Sequence, residues 1–142
     1  MYNFQKSIAP DSGVGRILVV GGDSLIGTAL VSFLKAIDEN VTGTTRRKER
    51  IGASHLFFDL ADEEVLDVAA DYYACTFLCA GITAMSACEV EPEQAYRLNL
   101  TNTLRLARRF HAAGTRIVFL SSNSVFNGKV ERPNEDTEYC AS

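Results

Sequence analysis

The run Arg16-Ile17-Leu18-Val19-Val20-Gly21-Gly22-Asp23-Ser24-Leu25-Ile26-Gly27 constrains this chain more than any other stretch. A short apolar segment rich in β-branched residues runs into a glycine-rich turn. An amphipathic helical pattern begins at once. That order predicts a strand that ends, a backbone that turns tightly, and a helix whose first N–H groups face an anion.

The glycine spacing departs from the common dinucleotide fingerprint G-x-G-x-x-G. Gly21 and Gly27 frame a pattern closest to G-x-x-G-x-x-G, with Ser24 in place of the middle glycine. Taken alone, the loop also suits an ordinary strand-to-helix turn, because turns use glycine for many reasons. The residues that follow favour the anion site. Leu25, Ile26, Ala29, Leu30, Phe33, Leu34 and Ile37 recur at helical spacing and predict one broad apolar face.

The 142 residues suffice for one domain, which at this size buries roughly 70% of its unfolded surface. A net charge of −4 argues against a general nucleic-acid or membrane partner. No apolar run approaches the ~20 residues needed to span a bilayer. Residues 1–15 hold one lysine and no apolar segment, so they read as a mobile lead-in rather than a signal peptide. Cys75, Cys79, Cys88 and Cys140 form no C-x-x-C pair and lack a nearby histidine, so no metal site is expected. Cys75 and Cys79 lie in an apolar run and read as buried thiols, which favours a reducing, cytoplasmic setting.

Further along, strand and helix patterns alternate. Strands are predicted over Arg16–Val20, Asn40–Thr45, His55–Phe58, Ala74–Cys79 and Thr115–Leu120. Helices are predicted over Ser24–Ile37, weakly over Asp62–Ala70, and over Glu93–Ala113 with Pro92 near its start. The fold class is therefore α/β, a doubly wound parallel sheet of about five strands covered on both faces. Such sheets bind ligands beyond the carboxyl ends of their strands. Gly21, Thr45, Asp59, Ala80 and Ser121 all fall at such ends. On the long helix, Arg97, Thr101, Arg105 and Arg108 form a solvated stripe, while Tyr96, Leu98, Leu100, Leu104, Leu106 and Phe110 leave it apolar nearly all round. One face covers the sheet; the other packs on another helix or on a partner subunit, with a homodimer through residues 93–113 as one alternative.

Several motifs in order resemble a known family. They are GGDSLIG, Phe58-Asp59-Leu60, Leu78-Cys79-Ala80-Gly81, and Cys88-Glu89-Val90-Glu91-Pro92 leading to Tyr96-Arg97-Leu98-Asn99. The last is Phe119-Leu120-Ser121-Ser122-Asn123-Ser124-Val125-Phe126-Asn127-Gly128. From Arg16 onward the chain is similar to the N-terminal, cofactor-binding part of an extended short-chain dehydrogenase/reductase. Within that superfamily it is most similar to the dTDP-4-dehydrorhamnose reductase-like branch. The resemblance implies a Rossmann-type NAD(P)-binding domain over residues 16–142, without the C-terminal substrate region, and a nucleotide-sugar substrate for the full-length parent.

The resemblance also implies residue roles. Gly21 permits the turn, Gly27 lets helix and strand pack closely, and the amides of Leu25 and Ile26 meet the pyrophosphate. Ser24 either bonds a phosphate through its hydroxyl or narrows the approach. NAD-preferring members show an acidic residue after the second strand. This chain has Arg46 and Arg47, which suits the 2′-phosphate of NADP, with NAD as the alternative, or else forms a solvated basic turn. Asp59 accepts from the adenine amine and Leu60 packs on the ring; the same acid also suits a helix N-terminus. Cys79, Ala80 and Gly81 admit the cofactor closely, and Asn99 supports the site through hydrogen bonds.

Ser122 matches the family's catalytic Ser/Thr, which bonds the substrate oxygen undergoing hydride chemistry. Ser121, Ser122 and Ser124 also suit a plain polar turn. The family's Tyr-x-x-x-Lys does not occur, and Tyr139 lacks its lysine. In relatives that pair follows the region matching Pro133-Asn134-Glu135-Asp136-Thr137. A piece of a longer protein is therefore expected, one that binds cofactor weakly and turns over little or nothing. The alternative is a non-catalytic, NADP-binding regulatory subunit on the same fold, since the regulatory subunit of methionine adenosyltransferase resembles this branch.

Overall fold

The computed structural model describes residues 15–62, 70–122, 125–126 and 129–138. The lead-in up to residue 14, residues 63–69 of the weak helix, Asn123, Ser124, Asn127, Gly128, Tyr139 and Cys140 lie outside them.

Five short strands form one parallel sheet: β1 (Ile17–Val20), β2 (Val41–Thr45), β3 (His55–Phe57), β4 (Cys75–Leu78) and β5 (Arg116–Phe119). Each falls within a predicted strand segment. Their spatial order is β3-β2-β1-β4-β5. Ile17 pairs with Val41 on one side and with Cys75 on the other, so the winding reverses beside β1. A crevice opens at such a switch point, outside the strand ends, and it is where α/β sheets hold ligands.

Alternation along β1 divides the core. Leu18 and Val20 pack with Phe58, Leu60, Leu78, Leu106 and Phe110 on one face. Val19 packs with Val31, Leu34 and Val41 on the other. Both faces of the central strand are thus apolar, as an all-parallel sheet requires.

Helix α1 (Leu25–Ala36) follows β1 directly. Ser24 is its N-cap, accepting the Gly27 amide at 3.0 Å through its hydroxyl oxygen. The apolar face of α1 is narrower than its sequence suggests. Gly27, Val31 and Leu34 are buried, whereas Leu25 is 91% exposed and Phe33 60%. Ile26 and Ile37 are exposed as well. A helix lying on a sheet covers one stripe, and the apolar positions of α1 extend round more of the helix than that stripe.

The long helix predicted over residues 93–113 is present but not uniform. A short helix α2 (Met85–Val90), which the sequence did not announce, comes before it. Pro92 occupies the first turn of α3 (Pro92–Tyr96). Residues Arg97–Asn102 are π-helical, and α4 (Thr103–Ala112) completes the run. The Thr103 hydroxyl donates to the Leu98 carbonyl at 2.9 Å, five residues back, and so holds the widened turn. Tyr96, Leu100 and Leu104 stay exposed, while Leu106 and Phe110 are fully buried against the sheet. No helix among the described residues is long and apolar enough to cross a membrane.

Candidate functional site

A cavity of about 510 Å³ opens beyond the ends of β1, β2, β3 and β4. Its volume lies within the roughly 300–1,000 Å³ of small-molecule and cofactor sites. The floor is the glycine loop, represented by Gly21, Asp23 and Ser24. Thr44, Thr45, Arg46 and Arg47 come from the end of β2, and Phe58, Asp59 and Leu60 from the end of β3. Cys79, Ala80, Gly81 and Ile82 follow β4, and Leu98 enters from the π-helical turn.

The loop is built for close backbone packing. Gly21 has φ +83, a conformation that disfavours any side chain. A Cβ there would stand 2.7 Å from the Ala80 nitrogen. A Cβ on Gly27 would stand 2.1 Å from the Gly21 carbonyl oxygen, so the helix start and the turn fit only without one. The end of β2 ties the loop down. Gly21 N–H donates to the Thr44 hydroxyl at 2.8 Å, and the Thr45 hydroxyl donates to the Asp23 carboxylate. Both threonines are buried.

Asp23 also accepts from Arg50 at 2.7 Å. Burial pushes its carboxyl up, but the Thr45 hydroxyl, Arg50 and the nearby Arg47 outweigh this and hold it below the ordinary carboxylate range. Arg46 and Arg47 form no ion pair among the described residues. Asp59 accepts the Ala61 amide at 3.0 Å through one carboxylate oxygen, so it does cap the local turn while lining the cavity. Cys79 is half-buried, as is Cys75, and burial pushes both thiols up, which keeps them protonated at neutral pH. Cys88 is likewise an unpaired thiol.

Beside the cavity wall, exposed Asn99 clamps the backbone of one residue, Ile82, on both sides. Its Oδ1 accepts the Ile82 amide and its Nδ2 donates to the Ile82 carbonyl, each at 2.8 Å. Three residues on, fully buried Asn102 donates to the Leu60 carbonyl at 2.7 Å. The π-helical turn therefore fixes two cavity-lining segments at once.

These residues fit a dinucleotide. The loop turns without side-chain bulk, and Ser24 takes up only the Gly27 amide. The amides of Leu25 and Ile26 remain first-turn donors with no acceptor inside the helix. No acidic residue lies in that turn to compete with an anion.

The family model described as the RmlD substrate binding domain matches residues 15–141. The chain belongs to this RmlD family.

Solved structures share the fold of this RmlD-family chain. MoeE5 in complex with UDP-glucose and NAD is 26% identical at a TM-score of 0.73, covering 89% of this chain and 42% of that one. The Thermus thermophilus UDP-glucose 4-epimerase complex with NAD is 24% identical at 0.73, with 88% and 44% covered. A hypothetical dTDP-4-dehydrorhamnose reductase from Sulfolobus tokodaii is 23% identical at 0.72, with 88% and 45% covered. The chain thus spans less than half the length of each. No curated protein matches it. The shared fold is Rossmann-type, a parallel five-stranded sheet flanked by helices.

Within the RmlD-family site, Gly21, Ser24, Arg46, Arg47, Asp59, Leu60, Cys79, Ala80 and Gly81 come together at the cavity as their strand-end positions imply. Gly27 lies buried beneath the loop. Leu25 and Ile26 do not line the cavity, and their exposed side chains leave only their amides for the predicted role. Asn99 stands beside the wall rather than in it. Ser122 is exposed beyond the end of β5 and is not part of the cavity wall. Sequence reasoning placed Thr45 at a strand end and Asp23 and Phe58 in motifs without giving any of them a role, and it did not single out Thr44, Ile82 or Leu98 as site residues.

Proposed function

We propose that this chain is the nicotinamide-dinucleotide-binding part of an oxidoreductase acting on a nucleotide-activated sugar, of the 4-keto reductase or epimerase type. One observation carries the reading. The glycine loop at the β1–β4 switch point packs its positive-φ Gly21 against the Ala80 backbone beside the cavity, and the Leu25 and Ile26 amides at the start of α1 have no acceptor inside the helix. The UDP-glucose and NAD held by MoeE5, 26% identical, support the ligand classes.

In this reading the Leu25 and Ile26 amides hold the pyrophosphate. Asp59 and Leu60 receive the adenine, with Leu60 fixed from behind by Asn102. Arg46 and Arg47 stand at the adenosine end and support NADP, since guanidinium groups pair well with a 2′-phosphate. Ala80 and Gly81 admit the cofactor past the end of β4, and Asn99 sets the Ile82 backbone that follows. When bound, the nicotinamide supplies or accepts the hydride. Ser122 is assigned to hydrogen-bond the substrate oxygen, polarising a carbonyl or holding a hydroxyl.

Titration with NADH and NADPH, followed by nicotinamide fluorescence, tests the proposal. Saturable binding that is lost in Gly21→Val supports it. Absence of saturable binding by the unaltered chain refutes it.

A further inference from the structure

Asp23 is the one acid in the glycine loop, and its position is unusual for a site that must hold phosphates. Its carboxylate does not point away as a solvated charge. It is mostly buried, it lines the cavity, and it is held between the Thr45 hydroxyl and Arg50. Those contacts place it where the loop meets the end of β2, beside Arg46 and Arg47 in the same cavity wall. Resting on the dinucleotide reading above, we propose that Asp23 is a specificity-determining residue that weakens NADP relative to NAD.

Two effects act in the same direction. A 2′-phosphate drawn to Arg46 and Arg47 must sit in the field of a fixed negative charge. Like charges a few ångströms apart oppose each other strongly where water is partly excluded. Arg50, the nearest further cation, is also engaged by Asp23 at 2.7 Å and so is withheld from the phosphate. NAD meets neither obstacle. Its adenosine ribose presents hydroxyl donors, and a carboxylate is an acceptor with lone pairs to spare beyond its two protein contacts. The basic turn and the loop acid therefore pull the cofactor choice in opposite directions, and the acid offsets part of what the two free arginines offer.

The test compares the full chain with Asp23→Asn, which preserves shape and can still bond Thr45, and with Asp23→Ser. NADH and NADPH are titrated separately, and thermal melting confirms that each variant is folded. Either folded variant should bind NADPH about tenfold tighter, the scale of one removed like charge at this range. NADH should bind equally or a few-fold more weakly. The NADPH gain should shrink as salt is raised, because it is electrostatic. Parallel changes in both affinities, or no change in either, overturn the inference while leaving the dinucleotide site standing. Failure of the unaltered chain to bind either nucleotide overturns the proposed function, and this inference with it.

Discussion

Gly27→Ala should destabilise the protein although alanine is the better helix former. In an exposed helix the exchange gains about 1 kcal/mol. Here the added Cβ would stand 2.1 Å from the Gly21 carbonyl oxygen and 2.9 Å from the Ser24 hydroxyl, where 3.4–4 Å is ordinary contact. The obstacle is backbone, so relief requires the turn to move by more than an ångström rather than a side chain to rotate. Overpacking of this kind costs about 1–3 kcal/mol and at times more. A cost near the upper end outweighs the propensity gain and leaves a net loss of about 2 kcal/mol. For a domain of this length that lowers Tm by roughly 4–10 °C. Gly52→Ala is the control, because a Cβ there meets nothing within 4 Å. It should change stability by less than about 1 kcal/mol. Thermal unfolding followed by circular dichroism reads both. The moved turn also carries the first-turn amides, so NADH affinity should fall in Gly27→Ala and hold in Gly52→Ala. A Gly27→Ala variant that melts at or above the unaltered chain refutes the close-packing argument.

The remaining predictions concern buried polar groups and titration. Asn102→Ala leaves the Leu60 carbonyl without its 2.7 Å donor in a fully buried setting. It should cost about 2–3 kcal/mol in chemical denaturation. The depressed Asp23 carboxyl contributes stability that is present above the ordinary carboxylate pKa and is lost as pH falls through its lower folded value. The acid limb of a Tm-against-pH profile should therefore flatten in Asp23→Asn. Burial raises the Tyr73 hydroxyl from 10.0 to about 12, against a smaller opposing pull from Arg16. Its contribution is complete below pH 10.0 and declines as pH rises toward 12. Tyr73→Phe should remove that alkaline slope.

The strand framework was legible because buried parallel strands leave unbroken apolar runs, and Val19-Val20 or Phe77-Leu78 suit little else. The cavity lining was legible in outline, since strand ends fix where Gly21, Asp59 and Ala80 stand. Side-chain detail was not. Thr44 and Thr45 look like any β-branched strand residues, and only the tertiary fold brings them to Gly21 and Asp23. Nothing local singles out Asp23, because its partner Arg50 lies 27 residues away. Periodicity also overstated the buried face of α1, because spacing records which positions are apolar and not which of them the sheet covers. The π-helical turn escaped notice for a related reason. A single wider turn shifts the phase of a helix without leaving a period of its own in the sequence; in the structure the Thr103 hydroxyl reaches back across it to Leu98.

The two threonines ending β2 make the loop and the basic turn parts of one device. Thr44 accepts the Gly21 amide and thereby sets the height of the glycine turn. Thr45 donates to Asp23 while its oxygen accepts the Arg47 amide at 3.0 Å. One strand end thus holds the glycine turn at Gly21, the loop acid Asp23 and the backbone of Arg47. A substitution at any of these points is transmitted to the others through part-buried hydrogen bonds between the loop and the strand end. Charge at position 23 is therefore altered most cleanly by a side chain that keeps its bond to Thr45. This is why asparagine, rather than a larger or apolar residue, isolates the electrostatic role of Asp23. A bulky replacement there would disturb the turn and weaken both nucleotides alike, whatever the role of the charge.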